Sequence, residues 1–450
     1  MPVPVKRDLI SIDDLSCAEI LELFEHADAF REDLNGWSHV CRGLILAALF
    51  FEPSTRTRLS FESAMLRLGG GVITVPEGQS SSSAKGETLA DTVRVVGGSY
   101  ADLLVVRHPR DGSARVAGRY AQVPVINGGD GAHEHPTQTL CDLYTLWRER
   151  GRLQGLDVVL CGDLRYSRTI HSFAYALGRF GANIITIPYP GFEMPQYVLE
   201  RLNREFGVKA TSASMGDLQD IVGAEDTAAA AYLTASRPHQ QALFTELTER
   251  HIDRIDAIYM TRAQRERHGS GQAAEGYPRL SGDNLRSDMF RDTRVMHPLP
   301  RLDEIDPSLD GDPRAVYFRQ AELGVPIRMA LMAFLLGKIQ LQSKAPLQSS
   351  NPVYLSSVGG FRCRNERCIT AGEGRRYLSP EFVVLKDEQP LLTCVYCGKD
   401  ARPGVIGDQV NQVYGLPASA WAGALAQGDI VYFATEEQAR VAGFLPEKPA

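Results

Sequence analysis

Glu52-Pro-Ser-Thr-Arg-Thr-Arg58 sets three hydroxyls and two guanidinium groups between an apolar run and a segment of helical period. At such a junction the unpaired N–H groups of a helix start converge on one point, and the helix dipole adds to their pull on an anion. Arg56 brings a planar fork suited to phosphate, and Ser54, Thr55 and Thr57 bring hydroxyl donors. Arg107-His-Pro follows another apolar run, where open α/β sheets collect ligands; taken alone, a surface arginine is the plainer reading. His133-Glu-His135-Pro-Thr-Gln138 admits a metal pair, a loop histidine, or a functional donor at His135 with Gln138 on the following helix start. The polar loop Ser80-Ser-Ser-Ser-Ala-Lys-Gly-Glu87 carries Lys85, either solvated or closing over an anionic substrate. Arg168, beyond the run ending at Cys161, and Arg262 with Gln264, beyond Met260, suit a second anionic ligand.

Four of the eight cysteines crowd together as Cys363-x4-Cys368-x25-Cys394-x2-Cys397. Two close pairs separated by a hairpin-length span fit a tetrahedral zinc held by four thiolates, a closed and therefore structural site. One structural zinc per chain and no catalytic cofactor are expected. Residues 361–402 carry eight basic and six acidic side chains, an excess that a zinc tetrathiolate cancels, so this is not a nucleic-acid module.

The elements that must position these groups alternate. Strand-like runs at 43–51, 72–75, 103–106 and 123–126 are each followed by a polar loop and a helical period, and Ser11 is a plausible cap for a helix over 12–35. The pattern breaks near 148–155 and resumes with strands at 156–161, 182–187, 256–260 and 294–296 and a helix over 169–180. This predicts an α/β protein: two doubly wound parallel-sheet domains, 1–150 and 151–322, joined by interdomain helices. A C-terminal helix, its apolar part from Pro326 to Leu341, fills 323–341 and returns to the first domain. A Ser/Pro-rich linker (342–360), a small β-rich cysteine domain (361–402) and a tail of unknown role (403–450) follow. With 44% hydrophobic and 23% charged residues the chain can build large cores, which excludes wholesale disorder. A net charge of −7 argues against nucleic-acid partners, and no apolar run reaches the ~20 residues of a membrane span. A cytoplasmic location is expected.

Taken together, the motifs resemble the aspartate/ornithine transcarbamoylase family over residues 7–341. Phe51-Glu-Pro-Ser-Thr-Arg-Thr-Arg-Leu-Ser-Phe-Glu62, the Lys-Gly-Glu loop and His135-Pro-Thr-Gln-Thr-Leu140 carry the likeness. Gly162-Asp-Leu-Arg-Tyr-Ser-Arg168, Tyr259-Met-Thr-Arg-Ala-Gln264 and His297-Pro-Leu-Pro-Arg-Leu-Asp-Glu304 resemble the aspartate branch. The resemblance implies transfer of a carbamoyl group from carbamoyl phosphate to L-aspartate, the second step of de novo pyrimidine synthesis. It implies that Ser54, Thr55, Arg56 and Thr57 hold phosphate and that Thr57, Arg107 and His135 polarise the carbamoyl oxygen. Gln138 would assist at the carbamoyl amide. Arg168, Arg262 and Gln264 would clamp the aspartate carboxylates, with Leu299 giving backbone contact and Pro300 beside it. Ser81 and Lys85 would arrive from a neighbouring subunit in a homotrimer or dimer of trimers. Glu52 with Arg168 and Arg267 resembles the family's interdomain bridges.

Arg168 and Arg262 stand 94 residues apart, more than the family pattern leads one to expect, with the excess near 223–254. This insertion lies in the acceptor domain, so a carbamoyltransferase for another amino acceptor is the alternative. A silent paralogue acting as an assembly partner is the rival from another class. Cys363-Arg-Asn-Glu-Arg-Cys-Ile and Cys394-Val-Tyr-Cys resemble the zinc domain of the family's regulatory chain. The segment ahead of it is too short for a further domain. The module is accordingly expected to brace a catalytic-chain interface and to leave the active-site chemistry alone.

Overall fold

A computed structural model describes residues 6–75, 86–213, 254–264, 277, 279–286, 288–343, 353–357, 359–385 and 389–447. The helix expected over 12–35 is split: Ser11 caps a short 3-10 turn, Ile12–Asp14, and Ser16 caps α1, Cys17–Glu32, each through a reciprocal capping box.

The first unit runs β1 (Ile45–Phe50), α2 (Thr55–Arg67), β2 (Gly71–Val75), α3 (Leu89–Ser99), β3 (Leu103–His108), α4 (Ser113–Tyr120), β4 (Val125–Asp130) and α5 (Pro136–Arg150). Its strands lie parallel in the order β2-β1-β3-β4. Pro136 opens α5 and Gly151, in the left-handed region, closes it, which produces the break in pattern near 150. The second unit runs β5 (Asp157–Gly162), α6 (Arg168–Arg179), β6 (Asn183–Pro188), α7 (Gln196–Phe206), β7 (Thr211–Ser212), β8 (Ala257–Met260) and β9 (Arg294–Met296), parallel in the order β7-β6-β5-β8-β9. The inner strands β1, β3, β5 and β8 are buried, largely apolar runs, as parallel strands covered on both faces are. The insertion near 223–254 lies outside the described residues except Arg254.

α8 spans Tyr317–Leu335 and packs on α1, α2 and α5 of the first unit. The expected bounds of 323–341 are therefore corrected: the helix begins at Tyr317 and ends at Leu335, Pro326 lies inside it, and its earlier turns carry Gln320 and Leu323 into the core. The expected linker is also corrected. β10 (Val353–Leu355) lies within it and pairs with β11 (Glu381–Leu385), followed by β12 (Leu391–Cys394) and β13 (Asp400–Ala401) in an antiparallel sheet. The tail is folded as well: β14 (Val405–Asp408), β15 (Val413–Gly415), β16 (Ile430–Phe433) and β17 (Leu445–Pro446) form a sheet in the order β16-β14-β15-β17.

The cysteine module docks on the first unit of its own chain, and one apolar core joins them, with Leu104 and Ala117 on one side and Phe361, Ile369 and Phe382 on the other. Arg119 forks onto Glu381 at 2.5 and 2.7 Å and also reaches the Tyr396 hydroxyl at 2.8 Å. Asp111 donates its N–H to the Arg367 carbonyl at 3.0 Å and accepts from the Ile369 N–H at 2.9 Å. Gly112 caps α4 at a φ of +81°, and a Cβ there would stand 2.5 Å from the Tyr396 carbonyl oxygen.

Gly112→Ala should therefore loosen the docked module, since the conformation alone costs roughly 1–2 kcal/mol. Hydrogen exchange at the Asp111 and Ile369 amides is expected to accelerate at least tenfold, roughly the effect of 1.4 kcal/mol. Unchanged exchange at both would mean that the close approach at Gly112 is not what seats the module.

Candidate active site and metal centre

The carboxyl ends of β1, β3 and β4 face the loops after β5, β8 and β9 across a cleft of about 790 Å³. Among its described lining residues are six arginines, Arg56, Arg107, Arg168, Arg262, Arg328 and Arg367, and a single carboxylate, Glu52. Ser54 is the N-cap of α2 and makes no capping bond to the helix, so Thr55, Arg56 and Thr57 occupy a first turn that opens on the cleft. Burial, and then the charge of Arg262, hold the Arg56 guanidinium below its ordinary value. An anion between the two relieves both penalties.

Arg107, at the end of β3, donates to the Gly128 carbonyl at 3.1 Å and lies 3.6 Å from Glu52. Arg168, at the start of α6, donates to Glu52 at 2.9 Å and to the Gly131 carbonyl at 2.8 Å. Glu52 thus bridges the two units. The two guanidiniums flank Gly129, whose φ is +114° and whose Cβ would stand 2.9 Å from Arg168. His135 is the N-cap of α5 and lines the cleft, with Nδ1 at 3.4 Å from the Thr137 hydroxyl. The metal-pair reading of His133 and His135 is not supported: His133 turns to Asp130 at 3.0 Å. The only cluster with metal-ligand spacing among the described residues is the cysteine one.

Gln264 takes its place from its N–H bond to Asp163 at 3.0 Å, and Arg262 donates to the Ala263 carbonyl at 3.0 Å. Leu299 and Pro300 line the cleft; Leu299 has a φ of +53° and donates its N–H to His297 Nδ1 at 2.8 Å. Such a backbone costs about 1–3 kcal/mol and persists because its surroundings over-determine it. Here His297 is buried between Glu304 at 2.8 Å and Gln320, whose side-chain oxygen accepts the His297 N–H at 3.0 Å. The structure thus brings together Ser54, Thr55, Arg56, Thr57, Arg107, His135, Gln138, Arg168, Arg262, Gln264, Leu299 and Pro300. Ser81, Lys85 and Arg267 lie outside the described residues.

Sequence reasoning missed Arg328, Arg367, Asp142 and Gln320. Arg328 is the one charge in the apolar run 325–336, which was the available signal; it is buried, 5.0 Å from the Phe61 ring centre, and its Nε has no hydrogen-bond partner among the described residues. Asp142 is fully buried beneath the cleft and accepts from Gln138 Nε2 at 2.8 Å, Gln320 Nε2 at 2.6 Å and the Tyr259 hydroxyl at 2.8 Å. With its amide nitrogen held there, Gln138 turns its carbonyl oxygen away from Asp142, free to accept from a ligand N–H.

The four cysteine Sγ atoms lie within 4.8 Å of one another, with Cys363–Cys397 at 3.5 Å and Cys368–Cys394 at 4.0 Å. Four sulfurs at about 2.3 Å from a tetrahedral zinc stand about 3.8 Å apart, so the donor set fits that ion.

Residues 7–148 match the family model described as the carbamoyl-P binding domain of aspartate/ornithine carbamoyltransferase, and residues 154–335 match its Asp/Orn binding domain. Residues 356–404 match the metal binding domain of the aspartate carbamoyltransferase regulatory chain. An aspartate carbamoyltransferase catalytic subunit of Methanothrix thermoacetophila is 43% identical over 334 residues, 74% of this chain and 98% of that protein. The Thermococcus gammatolerans subunit is 44% identical over 338 residues. The catalytic subunit of M. jannaschii aspartate transcarbamoylase superposes with a TM-score of 0.60 at 40% identity, over 74% of this chain and 98% of its own. The Trypanosoma cruzi enzyme in complex with carbamoyl phosphate and aspartate gives 0.58 at 34%, over 73% and 96%.

Burial raises the Asp142 carboxyl from 3.8 to about 7, with its three donors pulling the other way. A carboxyl raised in the folded state favours the fold most when protonated; that contribution is complete below about pH 4 and is lost as the pH climbs through about 7. Urea unfolding at pH 5 and pH 8 is expected to show wild-type stability falling by about 1–3 kcal/mol more than that of the non-titrating Asp142→Asn. Parallel pH dependences in the two proteins contradict this.

Proposed function

The chain belongs to the aspartate/ornithine carbamoyltransferase family, and on that premise we propose that it transfers the carbamoyl group of carbamoyl phosphate to L-aspartate. The products are N-carbamoyl-L-aspartate and phosphate, and the place of the reaction is pyrimidine synthesis. The observation that carries this reading is one cleft in which the α2 N-terminus with Arg56 faces Arg168, Arg262 and Gln264 across the two units.

In this reading the α2 start, with Ser54, Thr55, Arg56 and Thr57, holds the phosphate. Thr57, Arg107 and His135 donate to the carbamoyl oxygen, where negative charge develops as the amine attacks. The Gln138 carbonyl oxygen accepts from the carbamoyl amide, the orientation that its bond to Asp142 favours. Arg168, Arg262 and Gln264 hold the two acceptor carboxylates, beside the backbone of Leu299 and Pro300. A bond forms from the amine nitrogen to the carbonyl carbon, the carbon–oxygen bond to phosphate breaks, and the amine proton leaves with the phosphate. Much of the acceleration comes from holding two anions in attacking geometry. Ser81 and Lys85 of a neighbouring subunit complete the site in a homotrimer or dimer of trimers. Cys363, Cys368, Cys394 and Cys397 bind one zinc, whose part is to hold the module's fold. A cytoplasmic setting, where thiols stay reduced, accords with this reading.

Steady-state assays with carbamoyl phosphate and a panel of amino acids test the reaction: turnover with L-aspartate is expected, and turnover with ornithine alone overturns the acceptor assignment. Arg56→Ala is expected to lower kcat/KM for carbamoyl phosphate by roughly 100-fold or more, since it removes a charge-assisted pair with a buried anion. A loss under about fivefold in folded protein would place the phosphate elsewhere. Elemental analysis is expected to find one zinc per chain, and none in Cys394→Ser; a full zinc content in that variant would exclude the four-thiolate site.

A further inference from the structure

Arg367 stands on the knuckle between Cys363 and Cys368, remote in sequence from the other arginines of the cleft, yet it lines the same cleft as Arg56, Arg107 and His135. Its backbone is pinned to the first unit: the Arg367 carbonyl accepts the Asp111 N–H at 3.0 Å, and the neighbouring Asn365 amide donates to the Asp111 carboxylate at 2.8 Å. Its guanidinium lies 5.7 Å from the ring centre of Tyr166, which sits two residues before Arg168 on the loop between β5 and α6. One side chain, rooted in the cysteine module and anchored on the first unit, therefore reaches the acceptor-side loop of the second.

Behind Arg367 a crevice of about 620 Å³ separates the module from the second unit, with Arg165 and Tyr197 on one wall and Arg364 and Lys399 on the other. Arg367 borders both this crevice and the cleft. Across the crevice the module touches the second unit lightly, through Arg204 at 3.8 Å from Asp400 and Lys399 at 6.0 Å from the Tyr197 ring. The family models for the two catalytic units end at residue 335, and the model that covers Arg367 belongs to a separate regulatory chain. Here the residue is tied covalently to the cleft it lines.

We propose that Arg367 is a specificity-determining residue of the cleft: its charge, supplied by the metal module, draws the dicarboxylate acceptor to the second-unit side of the mouth. The proposal rests on the acceptor assignment above. A cation in a cleft with low-dielectric walls raises the local concentration of anions, and a guanidinium lying against an aromatic ring keeps its planar fork oriented. The phosphate end already has the α2 start and Arg56. Arg367 lies against Tyr166 on the opposite side, so its effect falls on the acceptor. The module, expected from sequence to stand apart from the chemistry, becomes a wall of the site.

The test is steady-state kinetics of the intact chain carrying Arg367→Gln, Arg367→Lys or Glu366→Gln, with zinc content and molecular size measured on the same samples. Arg367→Gln is expected to raise the KM for L-aspartate about tenfold and the KM for carbamoyl phosphate less than about twofold, with kcat and zinc content kept. Arg367→Lys should recover most of that loss, and Glu366→Gln, which alters the knuckle beside the cleft, should change neither KM. An aspartate KM unmoved in Arg367→Gln, equal rises for both substrates, or the same rise in Glu366→Gln would overturn the role of Arg367 alone. Absence of wild-type turnover with L-aspartate would instead overturn the acceptor assignment, and this role with it.

Discussion

Positive charge gathered in one cleft is the constraint on which the molecule turns. Arg107, Arg168 and Arg328 are each more than nine-tenths buried, and burial together with the charge of Arg262 weakens the hold of Arg56 on its proton. Burying guanidiniums beside one another is costly unless anions or hydrogen bonds answer them. Glu52 answers two of them, and backbone carbonyls at Gly128, Gly131 and Gly324 answer more. The remaining charge is what two anionic substrates would neutralise. The cleft is thus a pre-arranged counter-surface whose self-repulsion is relieved when it is filled.

Two parallel sheets make such an arrangement possible. Their strand ends present loops toward one another, and the start of α2 adds backbone donors beside the charge of Arg56. Beneath the loops, Asp142 gathers Gln138, Gln320 and Tyr259, while Gln320 holds the His297 backbone. α5, β8, the loop after β9 and α8 therefore share one buried junction. Such a shared network ties a cleft built from distant segments to one buried carboxyl. The cysteine module extends the same logic from outside: its shared core with the first unit fixes the knuckle, and the knuckle fixes Arg367.

What the sequence disclosed follows from how local each signal is. The hydroxyl-rich turn at Ser54 to Thr57 combines a strand end, a helix start and an arginine within four residues, so its chemistry is written in adjacent positions. The buried strands around Leu46, Val105, Val159 and Ile258 are equally legible as unbroken apolar runs. The cysteine spacing is nearly sufficient by itself. Arg328 escaped because a lone arginine on an apolar helix reads as a side chain reaching for water, when it points into the cleft. Asp142 and Gln320 meet only after α8 folds back. Arg367 enters only through docking, which no local pattern records. β10, β14, β15 and β17 are two to four residues long and acquire meaning from partners far along the chain, so the linker and most of the tail carry no readable pattern, whereas the apolar segment 429–433 and the helical period 436–442 are legible and fall on β16 and a short helix. α8 was placed too late because Pro326, a common first residue of helices, sits mid-helix.

The central claim is that the cleft holds two chemically different anions at once, one at the α2 start and one at Arg168 and Arg262. Calorimetric titration of the intact chain with inorganic phosphate, with succinate as an unreactive dicarboxylate, and with each in the presence of the other tests it directly. The account predicts one phosphate and one succinate per chain, bound together without competition, with both affinities weakening as ionic strength rises. Mutually exclusive binding, or stoichiometries showing a single shared anion, would contradict it.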